Sequence, residues 1–426
     1  MNVKRLILLN IKYIIEMQFD TKFWIKFSLI NLSLVALLGL IMRYKIGFEF
    51  PLFNQKNIQH SHSHFAFSGW VSHTLMVLMI AFLQAKVFVN SRKYNLLLFL
   101  NLLCSYGMLL SFFISGYTTP SIVFSTLSIF VSFVFGYYFY NDLKRIESSD
   151  LSKNWFKMAI FFNIISSLGT FYLAYMMMSK HILQDEYLAS IYYYLHFQYN
   201  GWFFFACMGL LISFLNLSEN SNSFLKSASK LFFISCVPAY ILSILWWKNL
   251  ADWLYILSII AAFIQVYAWF RFIAIVLKTK LNFIKNQPVF LRYILGFVGL
   301  AASVKFLLQL GSTIPALSQL AFGFRPIVIA YLHLVLLAII SLFLLFYIYA
   351  NHIFYMHKKL KFGIILFTLG IFLNEFALGI QGVAAFSYTL IPYINEALFG
   401  IAVLLLIGMI LTTYYSIKKV KISAIL

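Results

Sequence analysis

The sequence predicts an all-α membrane protein of twelve transmembrane helices, arranged as three units of four. Three observations carry this reading. Of 426 residues, 62% are hydrophobic and only 10% charged, with a mean hydropathy of +0.89. A water-facing domain carries about 25% charged residues, so this chain has too few to coat one. The apolar residues gather into twelve runs, each close to the roughly 20 residues that a spanning helix needs. They lie at 24–44, 62–85, 95–115, 121–141, 155–178, 188–216, 228–247, 252–277, 291–312, 326–350, 362–385 and 395–416. Finally, a histidine-bearing motif recurs at a spacing of four runs, which divides the chain into units of about 24–141, 155–277 and 291–416.

The connections are short, the longest being 45–61 and 142–154, so the whole chain reads as a single polytopic domain. The stretch before the first run is broken by Glu16 and Asp20 and has no small-residue cleavage site, so no cleavable leader is expected. Cys104, Cys207 and Cys236 lie in apolar runs without CxxC or CxxCH spacing, which argues against disulfides and covalent haem attachment.

A formal charge of +20 raises the question of nucleic acid, but the placement of the charge answers it. Lys and Arg sit in and beside the short connections, not on one face of a domain. With Arg43, Lys157, Lys230 and Arg292 at run ends taken with the adjoining connections, 23 of the 32 flank one side of the predicted membrane and 6 the other, leaving Lys26, Arg271 and Lys305 inside runs. That bias predicts both termini in the cytoplasm, and the expected location is a bacterial-type inner membrane. The expected partner of the basic loops is anionic lipid, with no role for nucleic acid.

The repeat is where chemistry enters. His64-Phe65-Ala66-Phe67-Ser68-Gly69-Trp70 in the second run matches His196-Phe197-Gln198-Tyr199-Asn200-Gly201-Trp202 in the sixth at four of seven positions. Tyr331-Leu332-His333 in the tenth run echoes Tyr194-Leu195-His196. Such self-similarity reports architecture: each four-helix unit offers one histidine from its second helix. With runs two, six and ten entering from the same side, His196 and His333 lie at about the same depth. A rise of 1.5 Å per residue puts that depth at roughly 12 Å below the outer end. A lone intramembrane histidine is most simply a hydrogen-bonding residue between helices. Three at matched depth suit a metal or haem iron, for which neutral imidazole is a common ligand. The Gly-Trp pairs read as packing devices, Gly admitting a close helix and Trp filling space near the interface.

Twelve helices, units of four and histidines on helices two, six and ten resemble subunit I of the haem–copper oxidase superfamily, which includes the nitric oxide reductases. The His62-Ser63-His64 pair followed by Gly69-Trp70 is similar to the second-helix pattern of its shorter, divergent members. The resemblance implies a low-spin, b-type haem with His64 and His333 as axial ligands, or His62 if the helix register is shifted by two. It matches His196 to the helix-six ligand of the non-haem metal, copper or iron. It also exposes departures. The helix-seven histidine pair of the family is replaced by Ile234-Ser235-Cys236-Val237-Pro238-Ala239-Tyr240, and Tyr331 stands where a high-spin haem would find a histidine. Tyr331 is the substitute ligand this position offers. The oxygen-reducing centre is therefore incomplete, and the implied role is electron transfer or the handling of a small gas such as nitric oxide or dioxygen. Its electron donor would be quinol or another subunit.

Two further residues stand out in apolar runs. Glu375 in the eleventh and Lys305 in the ninth form either an intramembrane ion pair or part of a proton path. His60, His62 and His64 form a His-x-His-x-His series; if helix two already covers them, His60 and His64 share a face and His62 points elsewhere. The rival readings are a multi-helix transporter without haem and a non-catalytic haem–copper protein of nitric oxide stress. A repeat in fours and the absence of matched Gly/Pro breaks stand against the transporter.

Overall fold

A computed structural model describes residues 12–48, 50–218, 222–247 and 250–418. It is helical throughout, with no strand among the described residues. Eleven helices are long and apolar enough to cross a membrane: α1 (Thr21–Gly47), α2 (Gln55–Gln84), α3 (Ser91–Ser115), α4 (Thr119–Lys144), α5 (Ser152–Ser179), α7 (Phe224–Ile244), α8 (Asp252–Lys285), α9 (Val289–Gly311), α10 (Pro326–Ala350), α11 (Lys358–Ala385) and α12 (Ile394–Ile417). The sixth run is also helical, as α6 (184–214), but His196, Gln198 and Asn200 make it more polar than the other eleven. These apolar helices fit a lipid bilayer as the surroundings of a multi-pass membrane protein.

Local chemistry sets the helix ends. Asp20, Asn54 and Asn90 each accept a hydrogen bond from a backbone N–H of the following turn, the expected use of short polar side chains at an N-cap. The Asn54 cap starts α2 seven residues before the apolar run at 62. Helix two therefore covers His60, His62 and His64. A short helix, Pro315–Gly323, precedes α10 and is separated from it by extended Phe324.

Three helices change character in mid-course. Wide π turns run over Ala66–Ser72 in α2, Phe197–Phe203 in α6 and Leu334–Ser341 in α10. Each begins one or two residues after a repeat histidine: His64, His196 and His333. Such turns are frequent at functional sites and leave some carbonyls outside the regular ladder. The recurring sequence motif thus encodes a recurring backbone irregularity.

Packing groups the chain into two compact units. Unit 1 comprises Met1–Phe135, Ile348–Ala377 and Pro392–Leu426. Inside it α1 packs on α12 through Ser33 and Thr413, whose hydroxyls are 2.9 Å apart. Asn31 of α1 donates to the Gly69 carbonyl at 2.6 Å and accepts from Tyr106 of α3 at 2.7 Å. Unit 2 comprises Gly136–Tyr347 and Leu378–Ile391. Here α5 and α6 approach so closely that a methyl group at Gly169 would meet the Ser190 carbonyl at 2.6 Å. One at Gly201 would meet Phe162 at 2.5 Å. The expected packing role of the glycine holds at Gly201, whereas Trp70 and Trp202 are each only 1% exposed and fill the interior.

Gly201→Ala is expected to destabilise the protein by about 1–3 kcal/mol through overpacking against Phe162. A thermal melt in detergent would show it as a lower midpoint. Gly296→Ala, which has nothing within 4 Å, should leave the midpoint unchanged or raise it.

Candidate functional site

The polar centre of unit 2 forms around His196 at the start of the α6 π turn. The ring is 1% exposed, and both nitrogens are engaged. Nε2–H donates to the Cys236 carbonyl at 2.9 Å, and Nδ1 accepts from Asn200 Nδ2 at 3.1 Å. The carbonyl is an acceptor only, so the proton belongs on Nε2 and the lone pair on Nδ1. Asn200 stands four residues on, where a helical side chain reaches back over the preceding turn. The Cys236 thiol closes the group, donating to the Asn200 carbonyl at 3.7 Å and lying 3.8 Å from Nε2. Tyr240, edge-on to His196 at 6.0 Å, also lines a groove of about 520 Å³ together with Glu186, Ser190 and Tyr193.

His333 also lies in unit 2. Its Nδ1–H donates to the Ile329 carbonyl one turn back, at 2.8 Å, which fixes the tautomer with the lone pair on Nε2. Tyr331 points its ring edge at Tyr199, 6.3 Å away, and so sits beside the α6 π turn. Lys305 of α9 is 5% exposed, with its ammonium 4.0 Å from the centre of the Phe306 ring and 5.9 Å from that of Phe204.

Unit 1 holds the remaining histidines of interest. His60 and His64 share a face, both against Tyr117 and Phe112 of the α3 end. The His64 ring stacks on Phe112 at 4.3 Å, and its Nε2 is 3.1 Å from the Tyr117 hydroxyl. His62 faces the other way, Nδ1–H donating to the Val35 carbonyl of α1 at 3.1 Å. His73, fully buried, accepts from Asn101 of α3 at 3.4 Å. Glu375 accepts from its neighbour Asn374 at 3.1 Å. Glu375 and Lys305 belong to different units, and no ion pair among the described residues includes either of them.

The donor sets differ in what they can hold. Axial imidazoles in haem proteins commonly donate one ring N–H to a carbonyl and ligate through the other nitrogen. His333 and His62 each make such a bond from Nδ1–H to a carbonyl. His196 has no nitrogen left to ligate: both are used within the protein, and no group of three His, Cys, Asp or Glu side chains among the described residues is placed to hold a metal ion. The residues around His196 therefore do not fit a copper or non-haem iron site.

The histidines are visible in the sequence, but their ring partners are not. Cys236, 40 residues from His196, reads as an ordinary apolar-run cysteine, and Asn200 as a mere substitution. A count of amides within apolar runs would have flagged Asn31, Asn95, Asn101, Asn163, Gln198 and Asn200, all buried and, Asn200 included, hydrogen-bonded across or along helices. Comparison with models of protein families finds no match, and no curated protein matches the chain.

Removing the His196 ring leaves the Cys236 carbonyl without its donor. His196→Ala is expected to cost about 1–3 kcal/mol of stability, read as a lower melting midpoint. Copper and non-haem iron per chain should stay unchanged; loss of either metal would restore His196 as a metal ligand.

Proposed function

We propose that this chain is a membrane haem protein with the twelve-helix, three-unit architecture of haem–copper oxidase subunit I. It binds a b-type haem and works in electron transfer or in the handling of a small gas such as nitric oxide or dioxygen. In this reading both termini are cytoplasmic in a bacterial-type inner membrane, and electrons come from quinol or a companion subunit.

The observation that carries the reading is the tautomer of two imidazoles. Nδ1–H of His333 donates to Ile329 O and Nδ1–H of His62 to Val35 O, so the ring lone pair of each is on Nε2. His333 is one axial ligand. For helix two, His62 is preferred over His64, because its Nδ1–H is anchored on a backbone carbonyl, whereas the His64 Nε2 meets the Tyr117 hydroxyl and its ring stacks on Phe112. In the family that the chain resembles, histidines of helices two and ten hold one low-spin haem, which supplies one-electron transfer at an iron with no open position.

The chain's own contribution is orientation. Carbonyls of Ile329 and Val35 hold the two rings in one tautomer, and the His62 ring lies beside Gly39, with Cε1 3.5 Å from where a Cβ would stand, an ordinary van der Waals distance. Reduction of dioxygen is not part of the proposal: helix seven carries Cys236 and Tyr240 in place of histidines, and His196 has no nitrogen to offer.

The test is an optical spectrum of the detergent-purified protein, oxidised and dithionite-reduced, after expression with ample haem. Sharp reduced α and β bands are expected, lost in His333→Ala and His62→Ala but retained in His196→Ala. Loss in His64→Ala with retention in His62→Ala would move the helix-two ligand to His64. A colourless protein under these conditions would overturn the haem reading.

A further inference from the structure

The groove of about 520 Å³ in unit 2 runs from the ends of spanning helices into their apolar length. Glu186 stands at its shallow end, in the first turn of α6, beside Trp247, which follows the last residue of α7, Ile244, by one turn. Leu168 stands at its deep end, eleven residues before the last residue of α5. At 1.5 Å per residue that is about 16 Å from the helix end. Leu168 is 56% exposed and Tyr172 42%, so the α5 wall of the groove opens on the surface that a spanning helix turns to lipid.

The lining has one charge and many rings. Tyr172, Tyr193, Tyr240 and Trp247 surround Glu186, and none of the described residues lining the groove is cationic. Tyr193 and Tyr240 meet edge-on at 5.2 Å, and the Tyr240 hydroxyl is already engaged, donating to the Ala189 carbonyl at 3.0 Å. Glu186 Oε2 accepts from the Tyr172 hydroxyl, which holds the carboxylate against the α5 wall. No hydrogen bond or ion pair among the described residues engages its Oε1. A carboxylate with a free oxygen beside aromatic rings attracts an ammonium, by its charge and by the ring quadrupoles. The order of groups adds a second requirement. The carboxylate lies near the helix ends and Leu168 lies in the apolar layer, so a ligand that fills the groove carries its ammonium outermost and an apolar body below.

We propose that this groove holds one phosphatidylethanolamine molecule, with its headgroup ammonium on Glu186 among the aromatic rings and an acyl chain along Leu168. Oε1 of Glu186 accepts an ammonium N–H, a charge-assisted bond that a lipid without an amine cannot make. The site is independent of the haem proposal: it uses none of the histidines, and its readout needs no haem.

The test uses the full chain, stripped of lipid in detergent and titrated with phosphatidylethanolamine or phosphatidylglycerol of identical acyl chains. Native mass spectrometry counts retained lipid, and the melting midpoint reports a ligand that binds the folded state. One firmly retained phosphatidylethanolamine per chain and a saturable rise in midpoint are expected, both lost in Glu186→Gln, which keeps an acceptor for Tyr172. Phosphatidylglycerol, drawn to the basic loops, should bind the native chain and Glu186→Gln alike. Equal retention of phosphatidylethanolamine by the two forms overturns the proposal. Parallel loss of both lipids in Glu186→Gln would mark a structural effect and overturn it equally. A midpoint raised as far by benzyltrimethylammonium chloride as by the lipid would make the groove a site for free ammonium ions and overturn the lipid assignment.

Discussion

Every polar backbone group inside an apolar bundle must find its partner within the protein, and the three π turns concentrate that demand. Each frees carbonyls that the regular ladder would have used. In unit 1 the Gly69 carbonyl is met by the amide of Asn31, and Asn101 adds a second donor to the Ser68 carbonyl, which already accepts from His73 N–H. In unit 2 the Asn200 carbonyl is met by the Cys236 thiol. The buried amides of α1 and α3 thus complete helices that cannot satisfy themselves, and they tie those helices to α2 in doing so.

The same constraint governs the histidines. A neutral imidazole has one donor and one acceptor nitrogen, so a single hydrogen bond to a carbonyl decides which nitrogen remains for a ligand. Equivalent positions in the repeat have come to different ends. His333 is anchored through Nδ1 to its own helix, whereas His196 is closed at both nitrogens by Cys236 and Asn200. On α2, one turn carries two outcomes: His62 turned towards α1, and His64 packed on Phe112. A repeated motif preserves the backbone irregularity while each copy settles its own side-chain chemistry.

Close packing makes these arrangements rigid. Gly201 brings the α6 π turn against Phe162, and Gln198 reaches Ser166 at 2.7 Å from the same turn. Phe204 and Phe232 then pack on Phe306, whose ring also faces the Lys305 ammonium. The polar centre around His196 is therefore held in an aromatic frame that leaves little freedom to rearrange its hydrogen bonds.

By itself, the sequence determined the helical class, the runs to within a few residues at most ends, and the recurrence of His64, His196 and His333, because apolar length and self-similarity are properties of one chain read in order. It also separated His62 from the face shared by His60 and His64, because helical periodicity is local. The start of α2 was misplaced because a polar first turn capped by Asn54 carries no apolar signal. The π turns, the closure of His196 by Cys236 and the isolation of Lys305 among phenylalanines were decided only in the tertiary structure. Each depends on which helix stands opposite, and the hydrogen bond that fixes an imidazole's free nitrogen runs to a carbonyl, a group every residue has and no sequence distinguishes.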